Sequence, residues 1–149
     1  MKVNKVGTIR KLQEYYSFKL DDAYHWNESL AEKILRGDKD GRAYDTFKKK
    51  LTEVVCDTFG QNLVPYELIP RASNPEKQSV KEEYWPSSLT AVYIVKSNNG
   101  KFLFEESSYA DANEGECLLF PSTCSFQMLG SLEPILRLVV NYDIKREST

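Results

Sequence analysis

Histidine is almost missing from this chain of 149 residues: His25 is the only one. A metal centre that takes two imidazoles from one chain is therefore excluded. Cysteine is sparse and odd in number, with Cys56, Cys117 and Cys124. None has metal-type spacing, so the expectation is free thiols in a reducing compartment, acting as small core residues. Cys117 and Cys124 flank a predicted turn and could approach each other across it. No stretch nears the roughly 18 to 20 consecutive apolar residues that cross a bilayer. The opening MKVNKVGTIRKLQ has basic residues but no apolar core, so it does not read as a signal peptide. Together these imply a cytoplasmic location without membrane association. An excess of positive charge is also lacking, since the formal net charge is −2. That argues against strong nucleic-acid binding. Lys48, Lys49 and Lys50 read as the solvated side of a helix. There are no repeats and no low-complexity tracts.

What is present is ordinary globular material, 41% hydrophobic and 28% charged, at a length that suits one domain. Thr8 to Leu20 mixes β-branched and aromatic residues and reads as a strand. Asn27 then suits the N-cap of a first helix, NESLAEKIL, with Leu30, Ile34 and Leu35 as its apolar stripe. Its end is marked by Gly37, Asp38 and Gly41. His25 falls just before that helix and reads as a flanking surface residue. The second helix is the clearest element, because Tyr44, Phe47, Leu51, Val54, Val55 and Phe59 recur at three- and four-residue steps up to Gly60. NLVPYELIP carries prolines and reads as an edge strand. Ala72 to Ser87 is polar and reads as a long loop.

From Ser88 the pattern is strand and turn. LTAVYIV is apolar on both faces, as a doubly covered central strand requires. Asn98-Asn99-Gly100 signals a hairpin into KFLFEE. A loop over 107–115 leads to ECLLF, a corner at Pro121-Ser122, the strand CSFQML, a turn over 130–134 and a last strand ILRLVVNYDI. The prediction is an α+β chain forming one domain over 1–149, with helical support over 22–60 on one face of a barrel core over 61–144.

The segments LTAVYIVKSNNGKFLFEE, EGECLLFPSTCSFQML and LRLVVNYDI, with Gly115, Phe120, Pro121 and Ser122 in order, resemble the iron/2-oxoglutarate-dependent oxygenase superfamily. The likeness is to its small phage and prolyl-hydroxylase-like branch and covers roughly two thirds of the chain. Trp26-Asn27 and Leu30 are similar to the opening helix of that branch. The resemblance implies a double-stranded β-helix, a jelly-roll or cupin-like barrel. It also implies iron held by a His-x-Asp or His-x-Glu pair and a distal histidine, with 2-oxoglutarate beside it. The position matching the distal histidine is Phe126, and the stretch where the proximal pair is expected offers Glu82 and Glu83 but no histidine. The resemblance thus implies no metal site. Arg137 matches the arginine that pairs with the far carboxylate of 2-oxoglutarate, although Val139 stands where a helping hydroxyl is common. Strand alternation places Ile135, Arg137, Val139 and Asn141 on one face, so Arg137 points into a buried environment. It is either a remnant site for 2-oxoglutarate or another dicarboxylate, or a structural ion-pair residue.

The sequence-level expectation is therefore a non-catalytic binding or structural protein, a pseudoenzyme, with a virion component or a host-protein binder as the roles a phage relative suggests. A protein partner and self-association are both compatible with it, and Trp26, Tyr84 and Trp85 are candidate interface aromatics. The alternatives are a divergent oxygenase acting as a hydroxylase and a cupin-like small-molecule binder holding an anion on Arg137.

Overall fold

A computed structural model of the chain describes residues 4–9, 13–20, 23–60, 62–73, 88–98, 100–104, 108–122, 124, 126–129 and 133–144. Among these residues, nine strands and two helices run in the order β1 (Asn4–Ile9), β2 (Gln13–Lys19), α1 (Ala23–Leu35), α2 (Arg42–Phe59), β3 (Leu63–Ala72), β4 (Leu89–Lys96), β5 (Gly100–Phe104), β6 (Ser108–Ala112), β7 (Glu116–Pro121), β8 (Phe126–Leu129) and β9 (Leu136–Ile144). Six strands form a large antiparallel sheet in the order β1-β2-β7-β4-β9-β3, and three form a small one, β6-β5-β8. The helices cover one face of the large sheet and the small sheet covers the other. The two sheets are not closed into one barrel among the described residues, so the expected barrel is an open pair of layers.

The layering follows from β4 and β9. LTAVYIVK and LRLVVNYDI offer apolar side chains on both sides, and both strands are buried almost throughout. On the helix side, Tyr93, Leu138, Val140 and Tyr142 pack with Leu30, Ile34, Tyr44, Phe47, Leu51 and Val55. On the other side, Val92, Ile94, Ile135 and Val139 pack with Phe102, Phe120, Phe126 and Met128. Helix α2 forms because its apolar residues fall on one stripe while Asp45, Lys49 and Lys50 face water. Each fully buried side chain of that stripe contributes about 1.5 to 3 kcal/mol. Two phenols tie helices to sheet. Tyr93 donates to Asn27 Oδ1, and Tyr142 donates to Thr52 Oγ1, whose own proton goes to the Lys48 carbonyl. Gly41 joins the helices at φ +129°, a conformation that suits glycine alone.

Several expectations change. Thr8 to Leu20 is two strands rather than one, because β1 and β2 form a hairpin on the edge of the large sheet. The helices are thus preceded by strands. Helix α1 begins at Ala23, so Asn27 is not its cap and His25 lies within it. Asn27 turns inward to Tyr93 instead. Leu35 is 65% exposed and leaves the stripe, which Trp26 completes as a half-buried side chain. Asn98-Asn99-Gly100 does not connect paired strands, since β4 lies in the large sheet and β5 in the small one. Gly100 marks that crossing, and a Cβ there would overlap Ile135 Cδ1. The expected loop over 107–115 contains β6. Cys117 and Cys124 lie on opposite sides of the large sheet, one in each core, and all three cysteines are free thiols. The expected loop up to Ser87, with Tyr84 and Trp85, lies outside the described residues from 74 onward.

Two measurements probe this layering. Phe47→Ala and Leu51→Ala should each cost about 2 to 5 kcal/mol, read as a lower denaturant midpoint. Burial also raises the pKa values of Tyr93 and Tyr142 well above the ordinary tyrosine value of 10.0. In the unfolded chain both phenols ionise above pH 10, while in the folded chain they stay protonated. The stability they protect is complete below pH 10 and falls above it, by about 1.4 kcal/mol per pH unit for each group. Urea melts between pH 8 and 11.5 should show this decline, and Tyr93→Phe should flatten it.

Candidate functional site

The space between the two sheets is lined by the alternate residues of β9, β4, β7 and β3 that face away from the helices. Arg137, Val139 and Asn141 share that inner face of β9, with Thr90, Val92 and Ile94 on β4 beside them. Leu118 and Phe120 come from β7, and the small sheet contributes Phe102, Ala112, Phe126 and Met128.

Phe126 begins β8 and is 1% exposed. Its ring centroid lies 5.2 Å from Phe120 in an edge-to-face arrangement and 5.7 Å from Phe102 in a tilted one. These are favourable aromatic geometries. The position that the sequence resemblance gave to a metal-binding imidazole is thus one corner of a packed aromatic triad. The sole histidine belongs to α1, which lies against the opposite face of the sheet. Among the described residues, no three His, Cys, Asp or Glu side chains are placed to hold a metal ion. Glu82 and Glu83 lie outside the described residues. The donor set for iron, two imidazoles and a carboxylate, does not fit the residues present.

At one end of the inner face, polar side chains form a chain across four elements. Asn141 Nδ2 donates to Glu67 Oε1 at 2.7 Å, and Thr90 Oγ1 donates to Asn141 Oδ1 at 2.8 Å. Ser122 Oγ lies 2.7 Å from Thr90 Oγ1. A threonine hydroxyl carries one proton, so Ser122 must be the donor to Thr90. The bonds therefore run in one direction, Ser122 to Thr90 to Asn141 to Glu67, and end on a carboxylate. Thr90, Ser122 and Asn141 are fully buried.

Arg137 sits toward the other end, four residues from Asn141 and about 13 Å along the strand. It is 5% exposed, as strand alternation predicts. Its direct cross-strand neighbours are Ile94 on β4 and Arg71 on β3. Arg137 has interactions of its own, and its buried Nε and Nη1 find no hydrogen-bond acceptor among the described residues. The sequence reading singled out Arg137, named Asn141 only for its strand face and Ser122 only within the Phe-Pro-Ser motif, and missed Glu67, Thr90 and Arg71. Arg71 follows Pro70, and the strand was expected to end there. In fact β3 continues to Ala72, and Ser73 accepts the Ile135 amide through its Oγ.

No protein-family model matches the sequence, and no curated protein matches it either. Solved structures do. A prolyl-4-hydroxylase from Pseudomonas putida superposes with a TM-score of 0.64 at 12% identity, over 89% of this chain and 88% of its own. A truncated form of the viral collagen prolyl hydroxylase vCPH from Paramecium bursaria Chlorella virus-1 gives 0.68 at 10% identity, over 97% of both chains. The fold is oxygenase-like. The nickel complex of the non-heme monooxygenase ThoJ agrees, with 0.63 at 9% identity over 85% of this chain and 72% of its own. Identities this low establish a shared architecture. They carry neither activity nor ligand across to this chain.

The polar chain should matter for stability. Thr90→Val keeps the shape of the side chain but leaves the buried Ser122 hydroxyl and Asn141 carbonyl without their bonds. A loss of about 1 to 3 kcal/mol is expected in chemical denaturation. A change under a few tenths would mean that water replaces the hydroxyl.

Proposed function

We propose that this chain is a non-catalytic binding or structural protein built on an oxygenase-like fold, in which Arg137 retains the capacity to hold an acidic ligand. The observation that supports the reading is the burial of Phe126 between Phe120 and Phe102, a packed hydrocarbon surface at the position to which the sequence resemblance assigns an imidazole. The single histidine of the chain, on the far side of the sheet, supports it. Arg137 supports the binding half of the proposal. A buried guanidinium suits a carboxylate, because its fork of N–H donors matches two oxygens at once. A dicarboxylate such as 2-oxoglutarate is the first ligand to try.

The competing reading, a divergent iron-dependent hydroxylase, draws its support from the names of the structural neighbours. Elemental analysis after reconstitution with ferrous iron, together with a 2-oxoglutarate turnover assay, separates the two. The expected result is no stoichiometric iron and no turnover, in the unmodified protein and in Phe126→His alike, because one added imidazole does not complete a facial triad. Iron bound at one equivalent, with 2-oxoglutarate consumed, would replace this proposal with the competing one. For Arg137, a rise in melting temperature on adding 2-oxoglutarate that Arg137→Ala abolishes is expected. A loss of about 3 to 5 kcal/mol in Arg137→Ala with no ligand response in the parent would instead identify a structural ion pair.

A further inference from the structure

We propose that Pro65 and Pro70 close the outer edge of the large sheet to strand addition, and that the strand they exclude is β3 of a second copy of this chain.

Strand β3 is the outermost strand of the large sheet among the described residues, with β9 on its inner side. Along an antiparallel strand, the N–H and C=O of successive residues point alternately to one side and the other. On β9 the Tyr142 carbonyl accepts the amide of Ser88, just before β4, and so faces β4. The Ile135 carbonyl accepts the amide of Ser73, just after β3, and so faces β3. Even-numbered residues of β9 therefore face β4, and odd-numbered ones face β3. Pro65 is the partner of Tyr142, and Pro70 is the partner of Leu138. Neither pair exchanges bonds across the ladder, so the backbone groups of both prolines face outward. The register shift between Pro65 and Glu67 brings this about. Pro65 and Pro70 are an odd number of residues apart, and in an unbroken strand they would face opposite sides.

The two prolines thus take nothing from the β3–β9 ladder and remove two donors from the free edge. From Pro65 to Pro70 the outward positions are Pro65, Leu68 and Pro70, and Leu68 alone keeps an N–H. The edge needs such a guard. Strand β3 is 10 residues long, and Val64 and Tyr66 on it are exposed. A long edge with apolar side chains is a template for another strand, and proline and bulges are the devices that blunt it. A second copy is the strand at issue, because a two-fold axis lays the same edge against itself. In that pairing each proline withholds its donor in both chains.

The test compares the parent with Pro65→Thr/Pro70→Thr. Threonine restores both N–H groups, suits a strand and leaves the β9 ladder intact, so the variant should keep the denaturant midpoint of the parent. Sedimentation velocity over a range of concentrations is read with amide hydrogen exchange at Leu68. The expected result is self-association tighter by about tenfold or more in the variant. The Leu68 amide should exchange fast in the parent and slow down as the variant associates. Each single variant should fall between the two. A folded double variant that associates no more than the parent would overturn the proposal. So would association that leaves the Leu68 amide unprotected, since the contact would then lie elsewhere. A Leu68 amide already protected in the parent would overturn it as well, because something other than the prolines would cover the edge. Should the double variant lose its midpoint, the single variants decide, and no gain of association in either would overturn the proposal.

Discussion

Val92 and Val139 face each other across β4 and β9 on one side of the large sheet, and Tyr93 and Leu138 do so on the other, all without exposure to water. This double burial is the constraint from which the architecture follows. A strand apolar on both faces must be covered twice, and the chain supplies two different covers. Helices α1 and α2 form one, through the stripe from Tyr44 to Val55. The small sheet forms the other, through Phe102, Phe126 and Met128. Remove either cover and roughly half of the apolar surface of β4 and β9 returns to water.

The two covers have different consequences for chemistry. On the helix side, polar atoms serve attachment: Asn27 receives Tyr93, and Thr52 receives Tyr142. On the inner side, polar groups sit at both ends of a hydrophobic middle. Glu67, Asn141, Thr90 and Ser122 satisfy one another at one end. Arg137 and its neighbour Arg71 bring positive charge to the other. The aromatic triad in the same space belongs to the core. The architecture is oxygenase-like and the space around Phe126 is packed as hydrocarbon, and fold alone assigns no activity.

Much of this was legible in the residues. The stripe of α2, the doubly buried β4 and the inward direction of Arg137 follow from periodicity, which depends on local geometry alone. The resemblance to oxygenases was carried by a few residues around Phe120, Pro121 and Ser122, and the shared fold agrees with it. What escaped was set by tertiary context. Asn27 has the composition of a cap, but Tyr93 lies across the interface from it and recruits its carbonyl into the helix body. Gly100 follows two asparagines, a turn signature, yet what requires a glycine there is the approach of Ile135 at the crossing between sheets. The pairing of Arg71 with Arg137 depends on residues far apart in sequence, and no local pattern announces it.

The directed chain from Ser122 to Glu67 has a kinetic consequence. Its three bonds join residues 32, 51 and 74 positions apart, and they bring together β3, β4, β9 and the end of β7. None of them can form until long loops have closed, and each fixes the register of a strand against its neighbour. Chains dominated by such distant pairings reach the native state in milliseconds to seconds, far more slowly than helical bundles. The helices of this molecule can assemble early from local contacts, but the inner face is complete only when β9 takes its place between β3 and β4. Until then both neighbours present open edges.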